Sequence, residues 1–112
     1  MLELAVAAAF KAWLVAPTHR PRVSRPWPIA IHATDRAGHP IRARLTMRFL
    51  IAGVPVGKVD GGKVWRFCGT WREPKGEEIE FPAESRGHRL TFQAVVTRRG
   101  RTVELDYWVK PR

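Results

Sequence analysis

Few residues in this chain have the types and spacings that metal binding requires. The 112 residues include four histidines and a single cysteine. No histidine is paired with another ligand at a spacing typical of zinc sites, and one cysteine cannot build a multi-cysteine site. We therefore predict no metal site and no cofactor. His32 and His88 fall in strand-like runs, where hydrogen-bonded structural roles are expected.

Catalytic sets are equally hard to find. Nucleophilic catalysis needs a serine, cysteine or threonine beside a base and an orienting acid. Ser24 and Ser85 have no nucleophile-elbow sequence around them, and Cys68 is expected to be a small core residue. The four glutamates between residues 73 and 80 are typical of a solvated loop or acidic contact patch, not of a glycosidase pair. We predict that the protein has no catalytic residues and is not an enzyme.

The charge of the chain points to a class of partner. Lys and Arg total 20 against 10 Asp and Glu, which gives a net charge of +10. A field of this sign favours anionic partners such as nucleic acid. Codon usage in a GC-rich genome accounts for the excess of arginine equally well. The residues expected to contact an anionic surface are Arg42, Arg44 and Arg48 on one strand face, with Arg98, Arg99 and Arg101 at a hairpin tip.

The first 26 residues differ from the rest of the chain. Residues 1–16 are apolar nearly all round and lack Gly and Pro, which predicts a helix that needs burial. It either docks on a neighbouring subunit or packs across one end of its own domain. The segment is too short to span a membrane and has no basic leader, so we expect the start to be retained. Residues 17–26 contain three prolines and predict an extended linker.

These features predict where a protein partner binds. The expected contacts are Leu4, Phe10, Trp13 and Leu14 of the helix, Arg20, Arg22 and Arg25 of the linker, and Trp108 of the last strand. Trp108 lies on the polar face of its strand, where it acts either as cover for that face or as an interface anchor.

Residues 27–112 alternate like strands almost throughout. In the longest run, Ile41 to Ile51, odd-numbered apolar residues face one way and arginines and Thr46 face the other. The sequence 60–62, Asp-Gly-Gly, predicts a hairpin, and residues 98–101 predict another turn. About seven short strands with turns every 8 to 12 residues indicate an all-β sandwich of immunoglobulin-like type, preceded by the helix and linker.

A resemblance rests on the second half of the chain. Residues 81–83, Phe-Pro-Ala, precede the alternating strand 87–96, the turn at Gly100 and the final strand 105–109, Leu-Asp-Tyr-Trp-Val. This pattern resembles bacterial and phage immunoglobulin-like domains, and it is similar to small virion accessory proteins of actinobacterial phages. The resemblance implies a non-catalytic protein that decorates a capsid, a tail or the head–tail junction.

The expected function is therefore structural. We predict an accessory protein of a larger assembly, a phage virion, made in the host cytoplasm and anchored by its N-terminal arm. Its partners would be other structural subunits, including copies of itself, with nucleic acid a secondary partner and membrane disfavoured. Two alternatives remain: a nucleic-acid-binding accessory protein that uses the arginine-rich surface, and a membrane-anchored adhesion module.

Overall fold

A computed structural model describes residues 10–112, and this part of the protein is all-β. It contains ten strands and two single 3-10 turns, at Val59–Gly62 and Ala83–Ser85. The strands are β1 (Lys11–Val15), β2 (Pro26–Trp27), β3 (Ala30–Thr34), β4 (Arg42–Ile51), β5 (Val54–Lys58), β6 (Trp65–Cys68), β7 (Thr70–Arg72), β8 (Ile79–Glu80), β9 (Leu90–Arg98) and β10 (Arg101–Val109).

The strands form three antiparallel sheets. The smaller of the two main sheets has the order β1-β3-β7. The larger one has the order β10-β9-β4-β5, with β6 also paired to β4. Strands β2 and β8 pair separately. The all-β prediction is confirmed, and the described residues form ten strands where about seven were expected.

The two main sheets share one hydrophobic core. Ile31 of β3 and Trp71 of β7 pack in the same cluster as Leu45 of β4 and Phe92 and Val96 of β9. Four of these five side chains are completely shielded from solvent. Burying a large apolar side chain stabilises a fold by about 1.5–3 kcal/mol, so this cluster holds the strands in register.

The predicted N-terminal helix is wrong where the structure describes it. Residues Lys11–Val15 form a strand that pairs antiparallel with β3, and Leu14 lies opposite Ile31. Its exposure alternates with a period of two: Leu14 packs against the core, while Trp13 and Val15 are about half exposed. Of the apolar residues in the predicted helix, Trp13, Leu14 and Val15 are divided between the two faces of this edge strand. Pairing with β3 overrides the helix propensity of the segment. Residues 1–9, including Leu4, lie outside the described residues.

The proline-rich segment runs beside the end of its own chain. The carbonyl of His19 accepts from Lys110 N at 2.8 Å, and the carbonyl of Pro21 accepts from Arg112 N at 2.9 Å. Val23 N then donates to the carbonyl of Arg112 at 3.0 Å. This is the bonding pattern of a parallel strand pair. Pro21 is buried between the two paired segments, where its lack of an N–H leaves no donor without a partner. The proline-rich segment thus lies along residues 110–112, which directly follow β10.

Strand β4 lies inside the larger sheet, with β9 on one side and β5 and β6 on the other. From Ile41 to Met47 the odd-numbered residues are buried, as the alternation predicts. The alternation ends at Phe49, which is partly buried against the core. Leu50 is buried and Ile51 is 48% exposed, so the prediction that Ile51 faces inward is wrong. The register with β5 also shifts here, and the extra residue of this bulge, Val56, belongs to β5.

The predicted hairpin at residues 60–62 is also wrong in its pairing. The chain does turn there, with positive φ at Asp60, Gly61 and Gly62. The strands on either side do not pair with each other; β5 lies along the end of β4 and β6 along its beginning. The turn therefore carries the chain along one edge of β4.

A single glycine moves the chain from one sheet to the other. Gly69 separates β6, which pairs with β4, from β7, which pairs with β3. Its N–H donates to the carbonyl of Ile41, and its carbonyl accepts from Ala33 N. Its φ of +77° and its approach to Pro40 leave no room for a side chain.

Candidate anion-binding groove

An open groove of about 990 Å³ lies at one end of the larger sheet. It is formed by the first half of β4, by β6 and by the turn between β9 and β10. Five of the residues that line it are arginines, and none of the lining residues within 10–112 is Asp, Glu or His. The arginines are Arg42, Arg44, Arg66, Arg98 and Arg99.

Strand register brings three of these arginines together. Arg44 lies directly opposite Arg66 of β6 on one side and Thr97 of β9 on the other. Arg42 lies opposite Cys68. The residues between them in β4, such as Ala43, face the core, so the alternation of β4 forces its arginines outward. The position of the core thus fixes the position of the charges.

The other two arginines come from the β9–β10 turn. Arg99 and Gly100 form a two-residue connection in which both residues have positive φ, +49° and +74°. This is the twist that a tight hairpin turn of the I′ type requires. Arg98 precedes the turn, and its guanidinium donates to the carbonyl of Arg42 at 3.0 Å. That bond holds Arg98 across the groove.

The groove arginines have no carboxylate partner within residues 10–112. The contacts between acidic and basic side chains found in this range are His39 Nδ1 with Asp35 at 3.1 Å and Arg48 with Glu104 at 3.4 Å. Two like charges directly opposite each other in a sheet destabilise it. The pair Arg44 and Arg66 is such a case, and an anion between them would compensate both charges.

Two of the six arginines predicted to contact an anion are not in the groove. Arg48 lies further along β4, where it donates to Gln93 Oε1 at 2.6 Å and to Glu104 Oε2 at 3.4 Å. Gln93 in turn donates to Asp106 at 2.8 Å. Arg101 is exposed opposite Arg98 but does not line the groove. Arg42, Arg44, Arg98 and Arg99 are brought together.

Sequence reasoning missed Arg66 as a functional residue. Its alternation with Trp65 and Phe67, which pack against the core, does place it on the outward face. The missing information was which strand lies next to β6. The sequence suggested pairing with β5, whereas the structure pairs β6 with β4. Cys68, expected to be a core residue, is exposed in the same groove.

Trp108 stacks on residues of its own chain. The His19 ring lies 4.0 Å from the centroids of both Tyr107 and Trp108 and nearly parallel to each. Two rings cannot occupy the same face at that distance, so the imidazole is sandwiched between them. His19 Nδ1 also lies 2.6 Å from the carbonyl of Trp108, and Arg89 lies over the indole at 4.6 Å. These contacts cover part of the tryptophan.

The remaining predicted partner contacts are spread over other surfaces. Phe10 and Leu14 pack against the core, and Trp13 is 43% exposed and stacks on His32. Arg20, Arg22 and Arg25 are exposed at the end of the molecule where residues 110–112 contact the proline-rich segment. The structure does not bring these residues together with the groove.

The groove offers guanidinium donors, the hydroxyl of Thr97 and the thiol of Cys68, and its lining within residues 10–112 contains no carboxylate, imidazole or serine. Among residues 10–112, no cluster of three or more metal-ligating side chains is present. A planar guanidinium matches the oxygens of a phosphate with two parallel hydrogen bonds.

No protein-family model, curated protein or solved structure matches the chain. Within the described range, no helix has the length and apolar character needed to cross a membrane. The groove is therefore the feature on which a function can be based.

Proposed function

We propose that this protein is a non-catalytic binding domain that holds the phosphate backbone of a nucleic acid in the arginine groove. One observation supports this most strongly: five arginines line one groove, and the lining within residues 10–112 contains no carboxylate. A fold that needed them only for solubility would disperse them or pair them with acids. Here Arg44 and Arg66 oppose each other directly, at a cost in stability.

The binding mode would be independent of sequence. Reading bases requires an element that enters a groove of the duplex, whereas phosphate contacts position a protein without carrying sequence information. The five arginines lie on a sheet surface and a hairpin turn, which suits contacts to a backbone. The net charge of +10 would speed association by steering.

The direct test is equilibrium binding of a fluorescent 20-base-pair duplex and of a 20-nucleotide single strand at low salt. The triple variant Arg42→Gln, Arg44→Gln, Arg66→Gln removes three exposed groove charges. The matched control is Arg36→Gln, Arg72→Gln, Lys75→Gln, which removes three exposed charges elsewhere. Both triple variants have the same net charge.

We expect the groove variant to weaken binding at least tenfold more than the control. Equal loss in both variants would mean that net charge alone attracts the nucleic acid, and the assignment of the groove would be wrong. No binding of either probe by the wild-type protein would remove the proposed function.

We further propose that the domain is an immunoglobulin-like sandwich. Two antiparallel sheets that share one core, and a chain that crosses between them at Gly69, support this proposal. The resemblance of residues 27–110 to bacterial and phage domains of this class supports it as well. An experimental structure whose strand connections differ from the immunoglobulin-like pattern would reject it.

A second candidate function is structural, as an accessory protein of a larger assembly such as a phage virion. The observation that favours it is the apolar hairpin of β4 and β5, where Ile51, Val54 and Val56 are between 48% and 60% exposed. Exposed apolar patches commonly mark protein contacts. The partners would be other subunits or further copies of this chain.

The structural role has its own test. Mass spectrometry of particles purified from the source should detect the chain in a fixed copy number. The variant Val54→Thr, Val56→Thr should lower that copy number while the purified domain unfolds at nearly the same denaturant concentration. Particles that lack the chain would exclude the virion role.

A further inference from the structure

We infer that the protein has a second contact for a nucleic-acid backbone at the opposite end of the molecule and so bridges two nucleic-acid segments. This inference rests on the proposed function of the groove. The second contact is a depression of about 330 Å³, which we call the terminal depression. It is lined by Arg22, Val23, Arg25, Arg86 and Arg112.

Backbone hydrogen bonds between three segments build the terminal depression. Val23 N donates to the carbonyl of Arg112, and Arg112 N donates to the carbonyl of Pro21. Gly87 N donates to the carbonyl of Pro111 at 2.8 Å, which brings Arg86 to the same place. The four arginines therefore converge because the backbone holds them, and not because one flexible segment is rich in arginine.

Within residues 10–112, no Asp or Glu side chain pairs with the arginines of the terminal depression, as in the groove. Its lining contributes four arginine side chains and no acidic side chain, and neither acid–base contact found in this range involves them. All four are exposed, so their guanidinium groups are accessible to a phosphate. Arg112 also donates from Nε to the carbonyl of Arg20 at 3.2 Å, which orients its side chain.

The two sites lie at opposite ends of the β9–β10 hairpin. The groove includes the turn at residues 99 and 100, whereas Arg86 precedes β9 and Arg112 follows β10. Each strand has nine residues, and at about 3.3 Å per residue the hairpin separates the sites by about 30 Å. The longest dimension of the domain, 51 Å, accommodates this separation.

Two carboxylates lie on β10 between the two basic sites. Glu104 and Asp106 are both exposed, on the strand face that also carries Thr102, the partner of Thr97. A backbone that ran along this face from one site to the other would pass Asp106 and also Glu104, which is paired with Arg48. The arrangement therefore favours two separate segments, one at each end, over one continuous track. Two weak contacts on one rigid domain also gain avidity when both are engaged.

The experiment is a bridging assay with two DNA duplexes. One duplex is attached to beads, and a second, dye-labelled duplex is recovered only when a protein holds both. The wild-type protein is compared with the depression variant Arg22→Gln, Arg25→Gln, Arg86→Gln and with the groove variant Arg42→Gln, Arg44→Gln, Arg66→Gln. The control is again Arg36→Gln, Arg72→Gln, Lys75→Gln. Binding of each protein to a single free duplex is measured in parallel.

We expect the wild-type and control proteins to recover the labelled duplex and both site variants to lose most of this recovery, about tenfold. The depression variant should still bind a free duplex through the groove. Bridging by the depression variant at the wild-type level would overturn the inference, because a self-associated single-site protein would behave in that way. Wild-type protein that binds one duplex without bridging would also overturn it and leave the groove intact. Wild-type protein that binds no duplex would overturn both proposals.

Discussion

Arg44 of β4 and Arg66 of β6 occupy directly opposite positions in neighbouring antiparallel strands, and neither has a carboxylate partner within residues 10–112. Their Cβ atoms are therefore about 4.5–5.5 Å apart, the usual distance for such pairs. Repulsion between the two guanidinium groups works against the pairing of the strands. A bound anion would relieve this repulsion, and the relief would add to the affinity. Replacement of either arginine should therefore raise the stability and weaken the binding.

Replacement of Arg66 by threonine should make the protein more stable and weaken its binding. Threonine favours strands, and its introduction removes the like-charge pair, for an expected gain of about 0.5 kcal/mol in the free energy of unfolding. Denaturant unfolding checks the stability, and titration with a duplex checks the binding. A variant that is less stable than wild type and binds equally well would mean that Arg66 has a packing role.

Replacement of Arg99 by asparagine should also make the protein more stable and weaken its binding, but the gain in stability comes from the turn conformation. Arg99 has a φ of +49°, in the left-handed region that asparagine tolerates better, and it precedes Gly100. Asn-Gly is a favoured pair for this turn, so the free energy of unfolding should rise by up to about 1 kcal/mol. The lost charge should weaken duplex binding. Lower stability would show that the Arg99 side chain makes contacts that support the turn.

Replacement of Gly69 by alanine should destabilise the protein strongly. The new Cβ would lie 2.9 Å from Pro40 Cβ, and φ at this position is +77°. The left-handed conformation alone costs about 1–2 kcal/mol for a residue with a side chain, and the close contact adds to it. Thermal or denaturant unfolding measures the loss.

Gly57→Ala is the matched control for this change, since Gly57 has no atom within 4 Å of an added Cβ and no positive φ. It should leave the free energy of unfolding nearly unchanged. Equal effects of the two substitutions would show that Gly69 does not constrain the crossing between the sheets.

Glu73 should make the folded protein relatively more stable as the pH falls below neutrality. Its carboxylate accepts from Ile29 N at 2.8 Å and from Ile79 N at 2.5 Å, and burial raises the pKa of Glu73 above its ordinary value of 4.5. At pH values between 4.5 and the raised pKa of the folded protein, Glu73 carries a proton in the folded protein but has lost it in the unfolded chain. The contribution of Glu73 to the free energy of unfolding therefore rises as the pH falls from neutrality towards 4.5.

Glu73→Gln supplies the comparison, because glutamine does not titrate. The difference in unfolding free energy between wild type and Glu73→Gln should shift in favour of wild type as the pH falls over this range. Urea denaturation at several pH values measures it. A difference that stays constant would show that the Glu73 pKa is the same in the folded and unfolded states.

The sequence predicted those parts of the fold in which side-chain alternation alone sets the structure. The strand from Ile41 to Met47 and the turn at Arg99 and Gly100 are examples, because local pattern and turn chemistry determine both. Contacts between segments that are distant in the sequence could not be predicted from such local patterns. Residues 11–15 form a strand because β3 offers an edge, and Ile51 is exposed at the end of β4, where its partner β5 carries a bulge.

The candidate site was predictable to the same extent. Alternation placed Arg42 and Arg44 on an outward face, and the turn placed Arg98 and Arg99 at a tip. Their meeting with Arg66 depends on the pairing of β6 with β4, which no local pattern encodes. Arg48 was assigned to the same surface, but its contacts with Gln93 and Glu104 come from β9 and β10.

The dependence of duplex binding on salt concentration tests the central claim most directly. Each phosphate contact that releases a counterion contributes about −0.9 to the slope of log K against log salt. Replacement of Arg44 and Arg66 by glutamine should therefore make the slope of the wild-type protein shallower by about 1.8, whereas Arg36→Gln, Arg72→Gln should leave it nearly unchanged. Equal slopes for wild type and the Arg44, Arg66 variant would contradict the assignment of the groove as the phosphate-binding site.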